Sequence, residues 1–469
     1  MKYVSTRGGM QAQPFQDVLL EGLAPDGGLA VPESIPSIDP QTLESWRALT
    51  YPELAAKVLG CFISDIDDQT LSHMTEQAYG TGLFRCETVV SVRPLNEGMS
   101  LLGVSEGPTL AFKDIAMQFL GQVFPHVLQA RGTTLNILGA TSGDTGSAAE
   151  YAMRGKPGVA VFMLSPQGRM SAFQRAQMYS LLDENIHNLA VRGVFDQAQD
   201  VVKALAGDLD FKHRYRLGAV NSINWARIAA QIVYYFWGWL RSTSGPGQQV
   251  SFAVPSGNFG NILSGHIARR MGLPIRRLVL ATNENNVLEE FFRTGVYRPR
   301  LPAQTHATSS PSMDISRASN FERFVYDLMH GDADKVAALW RQLSSEGSFD
   351  LSDLKPTFER DHGFVAGVSS HENRLETIRR VFDETGTLID PHTADGVKVA
   401  APYVEPGVPM LVIETALPAK FSETIEAALG RPAPRPPGLE DLEQREQRVV
   451  ELPCDVASVR DYIKEHAKV

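Results

Sequence analysis

The chain has 469 residues, too many for one ordinary core, so length alone points to two or three packed units. Hydrophobic residues make up 43% and charged residues 21%, the profile of a soluble globular protein. A net charge of -10 leaves no basic excess to displace counterions, which argues against a general nucleic-acid binder.

An anionic ligand remains open to such a chain, provided that backbone N–H groups and a few Arg or Lys side chains gather locally. The cysteines are Cys61, Cys86 and Cys454, with no CxxC spacing. They fit a reducing compartment and support neither a disulfide framework nor a zinc site. The opening MKYVSTRGGMQAQPF has no apolar signal core and no Arg/Ser-rich amphipathic run. The most apolar window, Ile223 to Leu240, contains Asn224, Arg227 and Gln231 and therefore reads as a buried helix rather than a membrane span. A cytoplasmic protein with no nucleic-acid or membrane partner is expected.

From Pro40 to Gly80, apolar residues recur at helical spacing. After Val89 the rhythm changes. TLNIL (Thr134 to Leu138) predicts a buried strand, GATSGDTG a tight turn, SAAEYAMRG a helix and GVAVFML (Gly158 to Leu164) a second strand, which together make a βαβ unit. HNLAVRG followed by DQAQDVVKALAG repeats the alternation, as does VSFAVP followed by SGNFGNILSGHIARRMG and IRRLVLAT. MLVIET (Met410 to Thr415) predicts a late strand, and the Pro-rich, then charged run GRPAPRPPGLEDLEQREQ a surface excursion. The expected fold class is α/β with parallel sheets covered on both faces. The expected units are an N-terminal helical unit over 1–94, α/β domains over 95–250 and 251–430 with a helical insertion near 283–390, and a tail over 431–469.

Three segments carry chemistry. Lys113, in GPTLAFKDIAMQFLG, precedes a helical run, so burial and the helix dipole would both disfavour its ammonium form and leave an amine able to attack an aldehyde. A solvated lysine paired with Asp114 is the other reading. GATSGDTGSAA (Gly139 to Ala149) exposes backbone N–H groups to an anion, but it is not a Walker A loop, because no Lys precedes Thr145. PSGNFGNI (Pro255 to Ile262) is a second such turn between strand and helix, with Gly257 and Gly260 permitting close approach. Either turn could simply join a strand to a helix. The His residues show no ligand spacing, and His392 in DPHTADG reads as a helix-capping or core residue.

AFKD, TSGDTG and SGNFGN in that order resemble the fold-type II pyridoxal-5′-phosphate (PLP) enzymes, which are tryptophan synthase β-like. SGDTGSAA, GAVNSINWARI and IDPHTADG resemble the threonine synthase family of the bacterial and fungal type, as do YVSTRG, EGLAPDGGLAVPE, ATNENNVL and ETALPAKF. The resemblance implies a small helical N-terminal unit before two parallel-sheet domains, with PLP as cofactor and O-phospho-L-homoserine as substrate. It implies γ-elimination of phosphate and β-addition of water to give L-threonine, in a monomer or homodimer. Lys113 would hold PLP and serve as the mobile base. Gly257, Asn258, Phe259 and Asn261 would surround its phosphate, and Thr415 would face the pyridine nitrogen. Ser142, Gly143, Asp144 and Thr145 would clasp the substrate carboxylate. Arg169, Ser171, Asn221, Ser222, Asn224 and Arg227 are the candidates for the substrate phosphate, since Arg forks match phosphate oxygens, although Arg227 could instead pair with an internal carboxylate. The alternatives are a phospholyase-like or other fold-type II lyase acting on a related phospho-amino acid, and a non-catalytic PLP-binding protein.

Overall fold

The computed structural model describes residues 1–80, 82–96 and 98–469. The helical spacing before residue 80 becomes three helices, Pro40–Ser45, Tyr51–Gly60 and Asp68–Tyr79. Asp39 and Asp67 cap the first and third, and Thr50 closes a capping box with Glu53 on the second.

The chain then forms β1 (Ser91–Asn96), β2 (Met99–Gly103), α1 (Lys113–Arg131), β3 (Leu135–Ala140), α2 (Asp144–Met153) and β4 (Val159–Pro166). Next come α3 (Ala172–Tyr179), β5 (Ile186–Arg192), α4 (Phe195–Gly207), the short β6 (Leu217–Gly218) and α5 (Trp225–Ser242). β7 (Val250–Pro255), α6 (Gly260–Arg270), β8 (Ile275–Thr282), β9 (Phe364–Val368), α7 (His371–Thr385), α8 (Pro391–Ala400) and β10 (Met410–Glu414) follow. β11 (Val450–Pro453) and α9 (Val456–His466) are the last.

These strands make two sheets. The first has the order β9-β8-β7-β10-β2-β1, parallel except for the antiparallel edge strand β1. The second, β11-β5-β4-β3-β6, is parallel throughout. Strands such as β4 and β10 are buried at every position, as sheets covered by helices on both faces require. The apolar window that reads as a buried helix is α5, enclosed from Trp225 to Leu240.

Sheet membership cuts across the expected units. β2 precedes the Lys113 helix in sequence, yet pairs with β10 and so belongs to the first sheet. The tail is not separate either, because β11 lies parallel on β5 and extends the second sheet. The Pro-rich run lies mostly at the surface, pinned there by Leu439 and Leu442, which are buried with Leu110, Phe173, Ala176 and Ala419. A Pro-rich stretch lacks periodicity, so its two buried leucines give no signal in the sequence. After residue 283 the helices Val287–Thr294, Phe321–Leu328, Ala333–Glu346 and Lys355–Arg360 precede β9, which returns to the sheet well before residue 390.

Ile463 of α9 is fully buried against the second sheet. Ile463→Ala should destabilise the protein by about 2–4 kcal/mol, read as a lower denaturant midpoint, because it empties a packed site. A tail that merely rests on the surface would leave the midpoint unchanged.

Candidate active site

β7, β10 and β2 are adjacent and parallel, so Pro255, Glu414 and Gly103 end on the same edge, where a parallel sheet presents its ligand site. Phe112 N–H donates to the Thr415 carbonyl at 2.8 Å, and Ala111 bridges Ala416. That strap sets Lys113 beside Thr415. The turn Ser256–Gly260 leaves β7 on the other side of β10.

Lys113 is the first residue of α1, with its side chain 12% exposed. It is not paired with Asp114. That carboxylate is buried and accepts the Thr109 N–H at 2.8 Å and the Thr109 hydroxyl at 2.7 Å. Burial raises the Asp114 carboxyl to about 6 against these bonds. Lys113 Nζ instead lies 3.3 Å from Asp144 Oδ2. Burial pushes its amine down, Asp144 opposes this, Lys420 and Arg227 add to it, and the net shift is downward.

Asp144 opens α2 on the turn after β3. Gly143 sits at φ 137°, a conformation that only glycine adopts readily. The Thr141 hydroxyl accepts from Gly143 N–H at 3.0 Å and Gly146 N–H at 2.9 Å and so fixes the turn. Asp144 is 6% exposed and its two oxygens meet four donors. Lys113 Nζ (3.3 Å) and the Ser312 hydroxyl (2.9 Å) meet Oδ2. Gln174 Nε2 (3.1 Å) and Lys420 Nζ (3.0 Å) meet Oδ1. Burial pushes the carboxyl up, but the Lys420 and Lys113 charges outweigh it and hold the group well below the usual carboxylate range. An incoming carboxylate would thus meet this turn's backbone N–H groups and the hydroxyls of exposed Ser142 and half-buried Thr145, but not the Asp144 side chain.

At the other turn Phe259 is the left-handed residue, with φ 65°. For a bulky side chain this conformation costs about 1 kcal/mol. Packing of its ring against Phe292, Phe321, Phe324 and Phe364 offsets it. Asn261 Oδ1 accepts from the Tyr234 and Tyr235 hydroxyls at 2.6 and 2.8 Å, while its buried Nδ2 has no partner among the described residues. The space that Gly257 leaves open is taken by Met313 and Ile315, whose atoms would lie 3.0 and 2.9 Å from an added Cβ.

The chain matches the description "Threonine synthase N terminus" over residues 2–79, "Pyridoxal-phosphate dependent enzyme" over 105–415 and "Threonine synthase, C-terminal" over 393–463. It is 55% identical to the threonine synthase of Methylobacillus glycogenes, over 99% of this chain and 100% of that one. Among solved structures it is 41% identical to PLP-bound threonine synthase from Brucella melitensis, with a TM-score of 0.96 over 100% of both chains. Yeast threonine synthase gives 36% identity and a TM-score of 0.93, over 99% of this chain and 98% of that one. The chain belongs to the threonine synthase family.

The six candidates for a second anion are placed unevenly. Asn224 is buried, donates to the Leu19 carbonyl at 2.9 Å and caps α5, so both ends of its amide are used. The Ser171 hydroxyl caps α3 through Gln174 N–H at 3.2 Å. Ser222 Oγ lies 3.2 Å from Ser319 Oγ, whose hydroxyl donates to Asn258 Oδ1 at 3.1 Å, tying this turn to the other. Asn221 and Arg169 are exposed. Arg227 differs from all of them. It is 3% exposed, Nη1 donates to the Val220 carbonyl at 2.9 Å, and Nε has no partner among the described residues. Among the described residues no carboxylate lies within ion-pair distance of it, so the internal ion pair open to Arg227 in the sequence is absent.

Sequence reasoning missed Lys420, Ser312 and Gln174. All three meet Asp144 from segments far from it in the chain. His392 is a buried residue in the first turn of α8, which Asp390 caps, and it also reaches the site: Nδ1 donates to Asp390 Oδ1 at 2.8 Å and Nε2 accepts the Ser312 N–H at 3.1 Å. The ligand atoms of His266, Asp327 and His362 come within 4.8 Å of one another, but Asp327 is already ion-paired with Arg270, which opposes a second cation there.

A buried guanidinium without an anion destabilises the fold. Burial lowers the Arg227 pKa to about 10. Arg227→Met, of similar length, should therefore raise the unfolding midpoint, by on the order of 1–3 kcal/mol. A lower midpoint would mean that Arg227 serves the fold and not a ligand.

Proposed function

We propose that the protein is a PLP-dependent threonine synthase, converting O-phospho-L-homoserine and water into L-threonine and phosphate. The observation that carries this is the placement of Lys113, a buried lysine with a lowered pKa beside Thr415 at the carboxyl edge of the first sheet, in a chain that matches its family over its whole length.

The residues fit the cofactor. Lys113 supplies an amine for its aldehyde. The N-terminal N–H groups of α6 and the unpartnered Asn261 Nδ2 supply donors for its phosphate, with Gly257, Asn258 and Phe259 shaping that turn. Thr415 supplies a hydroxyl for the pyridine nitrogen. When bound, PLP captures the substrate amine and withdraws electrons from its carbon chain.

The chain's own groups do the rest. Once the substrate amine has displaced it, Lys113 is an amine whose pKa burial lowers, suited to take the Cα proton. The turn at 142–145 orients the substrate carboxylate through backbone N–H groups. Arg227 receives the phosphate from within the protein, and the exposed Arg169 and Asn221 and half-buried Ser222 are the further candidates for it. Their pull weakens the Cγ–O bond that must break. A Cβ proton must leave as well for the phosphate to depart; a proton delivered to Cγ makes it a methyl group, water adds its hydroxyl at Cβ, and a proton is returned to Cα. The protein acts on a small molecule as a monomer or homodimer in the cytoplasm, without nucleic-acid or membrane partners. Among the described residues no helix is long and apolar enough to cross a membrane.

Incubation with O-phosphohomoserine should release threonine and phosphate in equal amounts, and Lys113→Ala should abolish both turnover and borohydride-fixed cofactor. Phosphate accompanied by ammonia and a 2-oxo acid would instead mark a lyase that stops after elimination.

Arg227→Met should raise KM for the substrate on the order of tenfold or more, the loss of ~1.5–3 kcal/mol of charge-assisted bonding. Arg169→Leu should raise KM only severalfold, and less at high salt, because an exposed charge is screened. A larger effect at Arg169 than at Arg227 would reverse the assignment.

A further inference from the structure

Lys420 is a buried cation that the reaction above leaves without a task. It lies on the turn Pro418–Phe421 that follows Thr415, and its side chain is fully enclosed. Nζ donates to the Thr109 carbonyl at 2.7 Å and to Gln177 Oε1 at 3.0 Å, and it lies 3.0 Å from Asp144 Oδ1. Asp144 therefore stands between two amines, with Lys113 at 3.3 Å on its other oxygen.

Two ammonium groups on one carboxylate would leave a net positive charge out of water, which a low-dielectric site resists. One lysine gives up its proton most easily, and hydrogen bonding decides which. An ammonium has three N–H donors. Lys420 meets three acceptors at 2.7–3.0 Å. Lys113 meets one acceptor at 3.3 Å, its other close neighbour being the Phe112 ring at 5.2 Å. The charge is therefore better housed on Lys420 and the neutral amine on Lys113.

We propose that Lys420 is a positioning residue for the reaction: by taking up the charge of Asp144 it keeps Lys113 a neutral, aldehyde-reactive amine. This rests on the functional reading above, with Lys113 as the cofactor lysine. The other charged groups around Lys113 agree with it. Arg227 on α5 also disfavours the ammonium. Asp114, on Lys113's own helix, is spent on Thr109. His392, on α8, meets Ser312, which donates to Asp144, and like Lys420 it favours the Asp144 carboxylate. Without Lys420, Asp144 would be left to pair with Lys113 alone and would hold it protonated.

The test uses the full chain freed of cofactor, and follows the rate at which added PLP forms its imine as a function of pH. Lys420→Met should move the midpoint of that profile upward by about one pH unit or more, slowing imine formation at neutral pH roughly tenfold. Asp144→Asn should move it downward, since the anion that favours the ammonium is gone. Asp144→Asn combined with Lys420→Met should return it close to wild type. A loss of thermal stability does not by itself shift such a midpoint, so a merely structural lysine would leave the profile in place. A Lys420→Met profile that superimposes on wild type, or a double variant displaced as far as Lys420→Met, overturns the proposal. Should Lys420→Met fail to fold, Asp144→Asn decides alone, and an unmoved midpoint refutes it. Wild-type protein that forms no imine at Lys113 would instead overturn the functional reading, and this one with it.

Discussion

A carboxylate removed from water is stable only when its oxygens are met, and Asp144 is met from four directions. The donors are Lys113 on α1, Gln174 on α3, Ser312 on the segment before residue 320 and Lys420 on the turn after β10. Asp144 itself belongs to the second sheet, at the exit of β3, whereas Lys113 and Lys420 arrive from strands of the first. One buried anion thus ties the two sheets together at the point where Lys113 sits. The spacing between Lys113 and its surroundings is then set by ion pairs and hydrogen bonds rather than by loop conformation alone.

The segment at 309–320 shows how much of the site is built by parts that carry no chemical signature. Ser312 donates to Asp144, Asn320 Nδ2 donates to the Ser222 carbonyl at 3.0 Å, and Met313 and Ile315 fill the space beside Gly257. A neighbouring segment thus accounts for a glycine at 257 without any ligand, since an added Cβ would meet Met313 and Ile315. Asp390 and His392 reach the same segment from behind through the Ser312 N–H, so the position of the Ser312 hydroxyl is set twice.

What could be read in the sequence was whatever local chemistry fixes. Lys113 stands out because an apolar helical run follows it, and Gly143 because a strand-to-helix turn at φ 137° admits little else. The buried strands are continuous apolar runs and were legible for that reason. Lys420 was not, although ETALPAKF was noted as a family segment. A lysine in a short run looks solvated, and only contacts with Thr109 and Gln177, hundreds of residues away, bury it. β11 was hidden likewise: Val450–Pro453 is a half-exposed edge strand, and its register on β5 is a tertiary fact. Arg227 was legible as a problem, a charge inside an apolar helix, but its lack of a carboxylate partner appears only in three dimensions.

The charge balance ties these features to anion binding. The chain carries -10 overall, yet the interior of the site runs the other way. Lys420 and Arg227 are both enclosed, and while Asp144 meets Lys420, Arg227 has no carboxylate partner among the described residues, so its positive charge stands unpaired. Dipoles at the starts of α2 and α6 add to it. An enclosed excess of positive charge is unfavourable while empty and is relieved when a phosphate-bearing ligand enters, whereas the negative exterior is screened by salt and contributes little at this depth. Binding energy for the anions is thus held in the folded protein before any ligand arrives. That is why a substitution that makes the fold more stable at Arg227 is the same one that should make it a poorer enzyme.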